Sequence, residues 1–258
     1  MNKKTKAAIF NILLIGAAAA TPTANAGLIA VFGDNGIDDY IDTLPGYSAT
    51  LVNDADLQLA GSLDAFDAFV YTRNSASGSP NPLMSAASAA NVSGFVDGNI
   101  VLFNGDYSDS VGGEFSSDPV GEQLFANALA FAVAGGGGYI GELFGFAAAF
   151  DSNASGVPAL GLVSGDVLGN FSSDDGAITL TAAGTASAIT AGAGLPADVG
   201  DWALSYEVTG FDAGAVLAEH PSGRPAILAF GQPVAQPVPA PATVTLLAAG
   251  LLLRRRLV

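Results

Sequence analysis

No cysteine occurs in the 258 residues of this chain. That absence excludes disulfides, thiolate metal sites and a cysteine nucleophile together. His220 is the sole histidine, which excludes zinc sites built on several histidines. Basic residues are scarce and unevenly spread: Lys3, Lys4 and Lys6 stand at the start, Arg254, Arg255 and Arg256 at the end, and only Arg73 and Arg224 between. Every acidic residue falls in that middle stretch, so two cations against 24 acids leave it with a net charge of −22. Such a surface repels nucleic acid, whose binding rests on phosphate neutralisation by Lys and Arg. It also repels anionic membrane surfaces. It favours solubility and a diffuse attraction for cations such as Ca²⁺. Hydrophobic residues, by contrast, make up 50% of the chain, enough for a core that needs no disulfide.

Both ends read as processing segments. After the three lysines comes an apolar stretch from Ala7 to Ala20, broken by Asn11, and then Thr21-Pro22-Thr23-Ala24-Asn25-Ala26. This is the charged, apolar, small-residue order of a secretory signal peptide, with Ala24 and Ala26 marking cleavage before Gly27. The alternative, an N-terminal membrane anchor, is disfavoured because the run is shorter than the roughly 20 residues a span needs. At the other end, Pro237-Val238-Pro239-Ala240-Pro241 leads into an apolar run from Thr243 to Leu253, followed by Arg254-Arg255-Arg256. This tail resembles the PEP-CTERM sorting signal of Gram-negative bacteria, which the membrane protease exosortase recognises. The family carries Pro-Glu-Pro where this chain has Pro239-Ala240-Pro241, but the order of hinge, apolar run and arginine cluster agrees. As a helix the run would reach only about 17 Å. A transmembrane helix held transiently until cleavage is therefore expected, with the arginines on the cytoplasmic side. A plain C-terminal membrane anchor is the other reading.

These boundaries divide the chain into a signal peptide (1–26), an acidic domain (27–231), a Pro-rich linker (232–242) and the sorting segment (243–258). The central segment, about 205 residues, suits one domain. Its first half contains short apolar runs bounded by Gly, Asp and Asn: Leu28–Phe32, Ser48–Val52, Ala68–Tyr71 and Asn99–Phe103. Runs of this kind mark buried parallel strands. Between them, Ile37–Leu44, Leu83–Val96 and Val120–Ala134 are expected to be helical. In the last, Leu124, Ala128, Phe131 and Ala132 share one face, and Gly135–Gly138 stop the helix. The second half offers Ala177–Thr181, Trp202–Thr209, Ala215–Glu219 and Ala226–Phe230 as strands joined by turns. The expected fold is α/β: a three-layer sandwich around a mainly parallel sheet, with an antiparallel extension in the C-terminal half.

Several segments of this domain resemble the class I glutamine amidotransferases, and most closely the amidotransferase-like module at the N-terminus of some biotin protein ligases. Ile29-Ala30-Val31-Phe32-Gly33-Asp34-Asn35-Gly36-Ile37-Asp38 is similar to their first strand and loop. Gly136-Gly137-Gly138-Tyr139-Ile140-Gly141-Glu142-Leu143-Phe144-Gly145 resembles their nucleophile elbow, in which Gly-x-Cys-x-Gly joins a strand to a helix. Leu160–Gly165 and Val216–Ile227 also fit, and Asn104–Pro119 reads as an insertion. The resemblance implies the three-layer fold. In the elbow frame Leu143 stands at the cysteine position. Leucine has no nucleophilic atom, so the frame implies a domain without amidotransferase chemistry, retained as a binding pocket or a scaffold.

Candidate sites follow from position. Asp34, Asp38, Asp39 and Asp42 cluster after the first strand, where they could bind Ca²⁺ or a polar ligand; the bland reading is a solvated loop and helix start, where Asp is favoured by capping and the dipole. Asp106, Asp109, Glu114, Asp118 and Glu122 form a second acidic stretch, read as a Ca²⁺ site or a surface loop. Arg73, at the end of the third strand, would bind an anion or pair with a neighbouring carboxylate. Glu142 and Leu143 would face a ligand crevice, Glu142 as an acid or base if buried. Gly135–Gly138 lacks the Lys-Ser/Thr of a phosphate loop, and Trp202 reads as core. No cofactor is implied beyond Ca²⁺.

Three functions remain in view. The first is a non-catalytic protein exported across the inner membrane to the cell surface or extracellular matrix. Signal peptidase and exosortase would be its partners during export, with transient membrane contact through the C-terminal segment; the tail's resemblance implies association with exopolysaccharide or biofilm. The second is an extracellular hydrolase using paired carboxylates, though nothing selects one pair among so many acids. The third is a Ca²⁺-dependent structural or adhesive module.

Overall fold

The apolar runs of the first half pair in parallel. Gly27–Phe32 (β1), Tyr47–Leu51 (β2), Ala68–Tyr71 (β3), Ile100–Phe103 (β4) and Gly138–Glu142 (β5) are successive strands in a computed structural model. The structure describes residues 27–33, 36–72, 82–105, 107, 111, 118–143, 166–174, 177–191, 204–209, 211 and 213–231. Every residue of β3, β4 and β5 is buried. That is why these strands read as continuous apolar runs rather than alternating ones. β2, at the sheet edge, leaves Ser48, Thr50 and Leu51 exposed.

The crossover helices are Ile37–Thr43 (α1), Asp54–Leu57 (α2), Ala86–Phe95 (α3) and Pro119–Val133 (α4). Local chemistry sets their limits. Asn53 and Asp56 form a reciprocal capping box on α2, and the Ser85 hydroxyl accepts the Ser88 amide to start α3. The Asp118 carboxylate accepts the Val120 amide at 3.0 Å, and Pro119 opens α4. Its C-terminal end turns sharply through Gly136 and Gly137, both at positive φ.

Right-handed crossovers then decide the layers. The sheet order is β2-β1-β3-β5-β4, followed by Pro225–Phe230 (β10), Val216–Glu219 (β9) and Thr179–Leu180 (β7). The connections β1→β2 and β4→β5 run one way along the sheet and β2→β3→β4 the other, which sends their helices to opposite faces. Ile37, Ile41, Leu124, Phe125 and Leu129 from α1 and α4 pack with Ile29, Val31 and Val70 on one face. Leu57, Ala89 and Val92 from α2 and α3 pack with Phe32, Phe69 and Tyr139 on the other. Burying each large side chain contributes about 1.5–3 kcal/mol. The expected α/β architecture with a mainly parallel sheet is therefore observed. So is its antiparallel extension, since β10 runs against β4, β9 against β10 and β7 against β9.

Three elements were not foreseen. Ala182–Ala186 (α5) follows β7, whose run shrinks to two residues because Thr181 caps the helix. α2 is too short to carry a period. Asp166–Ser173 (β6) is the third, forming a separate antiparallel ribbon with Leu204–Thr209 (β8), which lies within the strand expected over Trp202–Thr209. The stretch read as an insertion also sends Tyr107 and Val111 into the core.

The transmembrane helix expected from the sequence is corrected. Among the described residues no helix is long and apolar enough to cross a membrane. α4, with 15 residues, commits its apolar stripe to the sheet. The segments read as signal peptide, Pro-rich linker and sorting signal, with Ala24, Ala26, Pro239, Pro241 and the three C-terminal arginines, lie outside the described residues. The first residue of β1, Gly27, and the last of β10, Phe230, both lie at the amino edge of the parallel strands, because β10 is antiparallel to β4.

Candidate functional site

The carboxyl edge of a parallel sheet collects the residues that follow each strand, and open sheets hold ligands there. Here it gathers Thr72 after β3, Asn104 after β4, and Glu142 with Leu143 at the end of β5. It also gathers His220 after β9 and Arg224 before β10. Central placement of β5, between β3 and β4, puts Glu142 at the middle of that edge.

Glu142 is 0% exposed, and Thr72 Oγ1 donates to its Oε2 at 2.7 Å. Aromatic rings close over this pair: Phe103 and Tyr107 lie 4.2 Å apart, and Tyr107 stacks on Phe125 at 5.9 Å. Burial pushes the Tyr107 phenol well up, and the Glu142 charge pushes it further, against the pull of the Thr72 hydroxyl. Tyr71 is raised by burial and then by Glu142.

Leu143 is also 0% exposed. Its amide donates to Phe103 O at 2.7 Å, and its side chain packs with Tyr206, Val208 and Phe211. The β6–β8 ribbon thus lies over the end of β5. Asn104 pins it: its Nδ2 donates to Tyr206 O at 2.9 Å and to Pro225 O at 2.7 Å, while its Oδ1 accepts the Tyr206 amide at 2.8 Å.

A second polar group supports the ribbon. Asp174 accepts from Ser205 Oγ at 2.9 Å, from the Ser222 hydroxyl, and from the Ser222 amide at 3.0 Å. Arg224 Nη1 donates to Ser205 O at 2.8 Å. Burial pushes the Asp174 carboxyl up. The hydrogen bonds from Ser222 and Ser205, with the His220 charge, outweigh it and hold the group below the usual range. His220 is 3% exposed, and its Nε2 lies 2.6 Å from Asn104 O. A carbonyl only accepts, so Nε2 carries the proton and Nδ1 is left as an acceptor. Nδ1 has no hydrogen-bond partner among the described residues. Burial lowers the imidazole pKa against the opposing effects of Asn104 O and Asp174. Serine, histidine and aspartate meet here, but both serines bond the aspartate rather than the histidine, so the order of a hydrolytic triad is not built.

Compared with known proteins, the chain matches no protein-family model, no curated sequence and no solved structure.

The residues expected to form one crevice divide. Glu142 and Leu143 do sit together at the carboxyl edge, but enclosed. Asp34 and Arg73 lie outside the described residues, as do Asp106, Asp109, Glu114, Trp202, residues 160–165 and the elbow beyond Leu143. Asp38 and Asp39 occupy the first turn of α1, where acids complement the helix dipole. Asp42 accepts the Ala49 amide at 2.7 Å, blunting the open edge of β2. Asp118 caps α4. Among the described residues, no group of three or more His, Asp and Glu is placed to hold a metal ion. Sequence reasoning missed Asn104, Asp174 and Ser222, because their roles come from elements 31 to 121 residues apart.

Proposed function

We propose that the chain is an exported, non-catalytic protein of the cell surface or extracellular matrix, delivered by its PEP-CTERM-like tail and associated with exopolysaccharide. Its domain keeps a frame like that of the class I glutamine amidotransferases while the nucleophile position is filled. One observation carries the non-catalytic half of the reading: Leu143, in the cysteine position, is wholly buried beneath the β6–β8 ribbon. A nucleophile elbow works by presenting its side chain above the sheet near backbone donors; the Leu143 side chain instead packs against Tyr206, Val208 and Phe211. The tail's order of proline hinge, apolar run and arginines supports the other half.

The test is the intact mass of the protein recovered from its host, together with the fraction it is recovered from. The expected mass is that of a chain starting at Gly27 and ending near Pro239, found outside the cell. A mass that retains Arg254–Arg256 would overturn the sorting argument.

A further inference from the structure

The carboxyl edge has a second feature, two strands away from the closed end of β5. A cleft of about 410 Å³ opens at the ends of β1 and β2, lined among others by Phe32, Leu51, Val52, Asp54, Pro82 and Leu83. That volume falls within the roughly 300–1,000 Å³ of small-molecule sites. It borders the β1/β3 position where strand order reverses, the place where open α/β sheets bind ligands.

The rim is built rather than incidental. Leu83 is 65% exposed and Leu51 45%, so both present apolar surface at the mouth of the cleft. Leu83 is nevertheless held from both sides: Tyr71 Oη donates to Pro82 O at 2.9 Å, and the Ser85 amide donates to Asp54 Oδ1 at 2.7 Å. Phe32, below, is fixed by stacking on Tyr71 at 5.7 Å. Asp54 Oδ2 accepts Gln58 Nε2 at 2.8 Å, so the carboxylate is oriented by neutral donors, which fix its position without neutralising its charge. Desolvation pushes this carboxyl up, but the Ser85, Ser88 and Gln58 hydrogen bonds outweigh it and keep the group ionised at neutral pH.

We propose that this cleft binds a ring-shaped ligand with one apolar face and a protonated amine, the ring against Leu51 and Leu83 and the ammonium on Asp54. The strongly acidic domain concentrates cations and repels anions at the same mouth. Two sources share this chemistry: an amino sugar with a free amine, and an aromatic amine. The inference holds whether or not the chain is exported or catalytic.

Calorimetric titration of the isolated protein at low salt tests it, with glucosamine against glucose, benzylamine against benzyl alcohol, and glucuronate as the anion. At least one amine is expected to bind about tenfold more tightly than its neutral partner, and less tightly as salt is added. The tighter amine identifies the source. Leu83→Ser is expected to weaken binding about fivefold with an unchanged melting temperature. Asp54→Asn should abolish the preference for amines, but Asp54 also pins Ser85, so Leu83→Ser is the deciding variant. Failure of both amines to bind, equal binding of amine and neutral partner, or wild-type affinity in Leu83→Ser overturns the proposal.

Discussion

Asn104 joins three strands through one side chain and one carbonyl, holding β8 and β10 and receiving His220. This gives His220 a measurable signature. Its folded pKa lies below the ordinary 6.5, so the folded state favours the neutral ring. Above pH 6.5 both states are neutral there and its full contribution is present. As pH falls below that value the unfolded chain takes a proton that the folded chain refuses, and stability declines until the folded pKa is reached. Denaturant melts between about pH 7 and pH 5 should show this slope, and His220→Gln should flatten it; no other histidine confuses the assignment. Leu143 can be read as directly. With no native cysteine, Leu143→Cys introduces a single thiol. Maleimide labelling is expected to be slow in the folded protein and fast in denaturant. Rapid labelling of the native state would mean an open crevice and would remove the case against catalysis. The identity of this residue was legible in the sequence from its Gly-rich frame. Its enclosure was not, because the covering side chains Tyr206 and Val208 come from a strand more than sixty residues away.

At the level of elements, glycines separate what is required from what is tolerated. A Cβ on Gly137 would run into the Asp97 carboxylate at a positive φ of 55°, whereas a Cβ on Gly94, within α3, meets nothing within 4 Å. Gly137→Ala should therefore cost about 2 kcal/mol or more, and Gly94→Ala should stabilise by about 0.5–1 kcal/mol; urea midpoints of the two variants decide this. The same logic explains which elements could be read in advance. β1, β3, β4 and α4 carry strong apolar signals with Gly, Asp or Pro at their ends, and the observed limits differ from the expected ones by a residue or so. β6 mixes Asp166, Gly169, Asn170, Ser172 and Ser173 with Val167, Leu168 and Phe171, so neither period stands out. α2 and α5 exist through caps, Asn53 and Thr181, rather than through periodicity.

Across the whole molecule, charge is the dominant unspent tension. Two cations against 24 acids between residues 27 and 242 repel within a folded domain. Added sodium chloride should raise the melting temperature by a few degrees by screening that repulsion; a flat response would show that the acids are locally compensated. The alternation of strand and helix made the α/β class and the antiparallel extension readable. The insertion of β5 between β3 and β4 was not, since strand order depends on which face each crossover takes. That order has a consequence for presentation. Gly27 and Phe230 leave the sheet at one pole, while the Leu51–Leu83 rim opens at the opposite one. A partner that contacts Gly27 and Phe230 at that pole therefore leaves the proposed amine-accepting rim uncovered at the other.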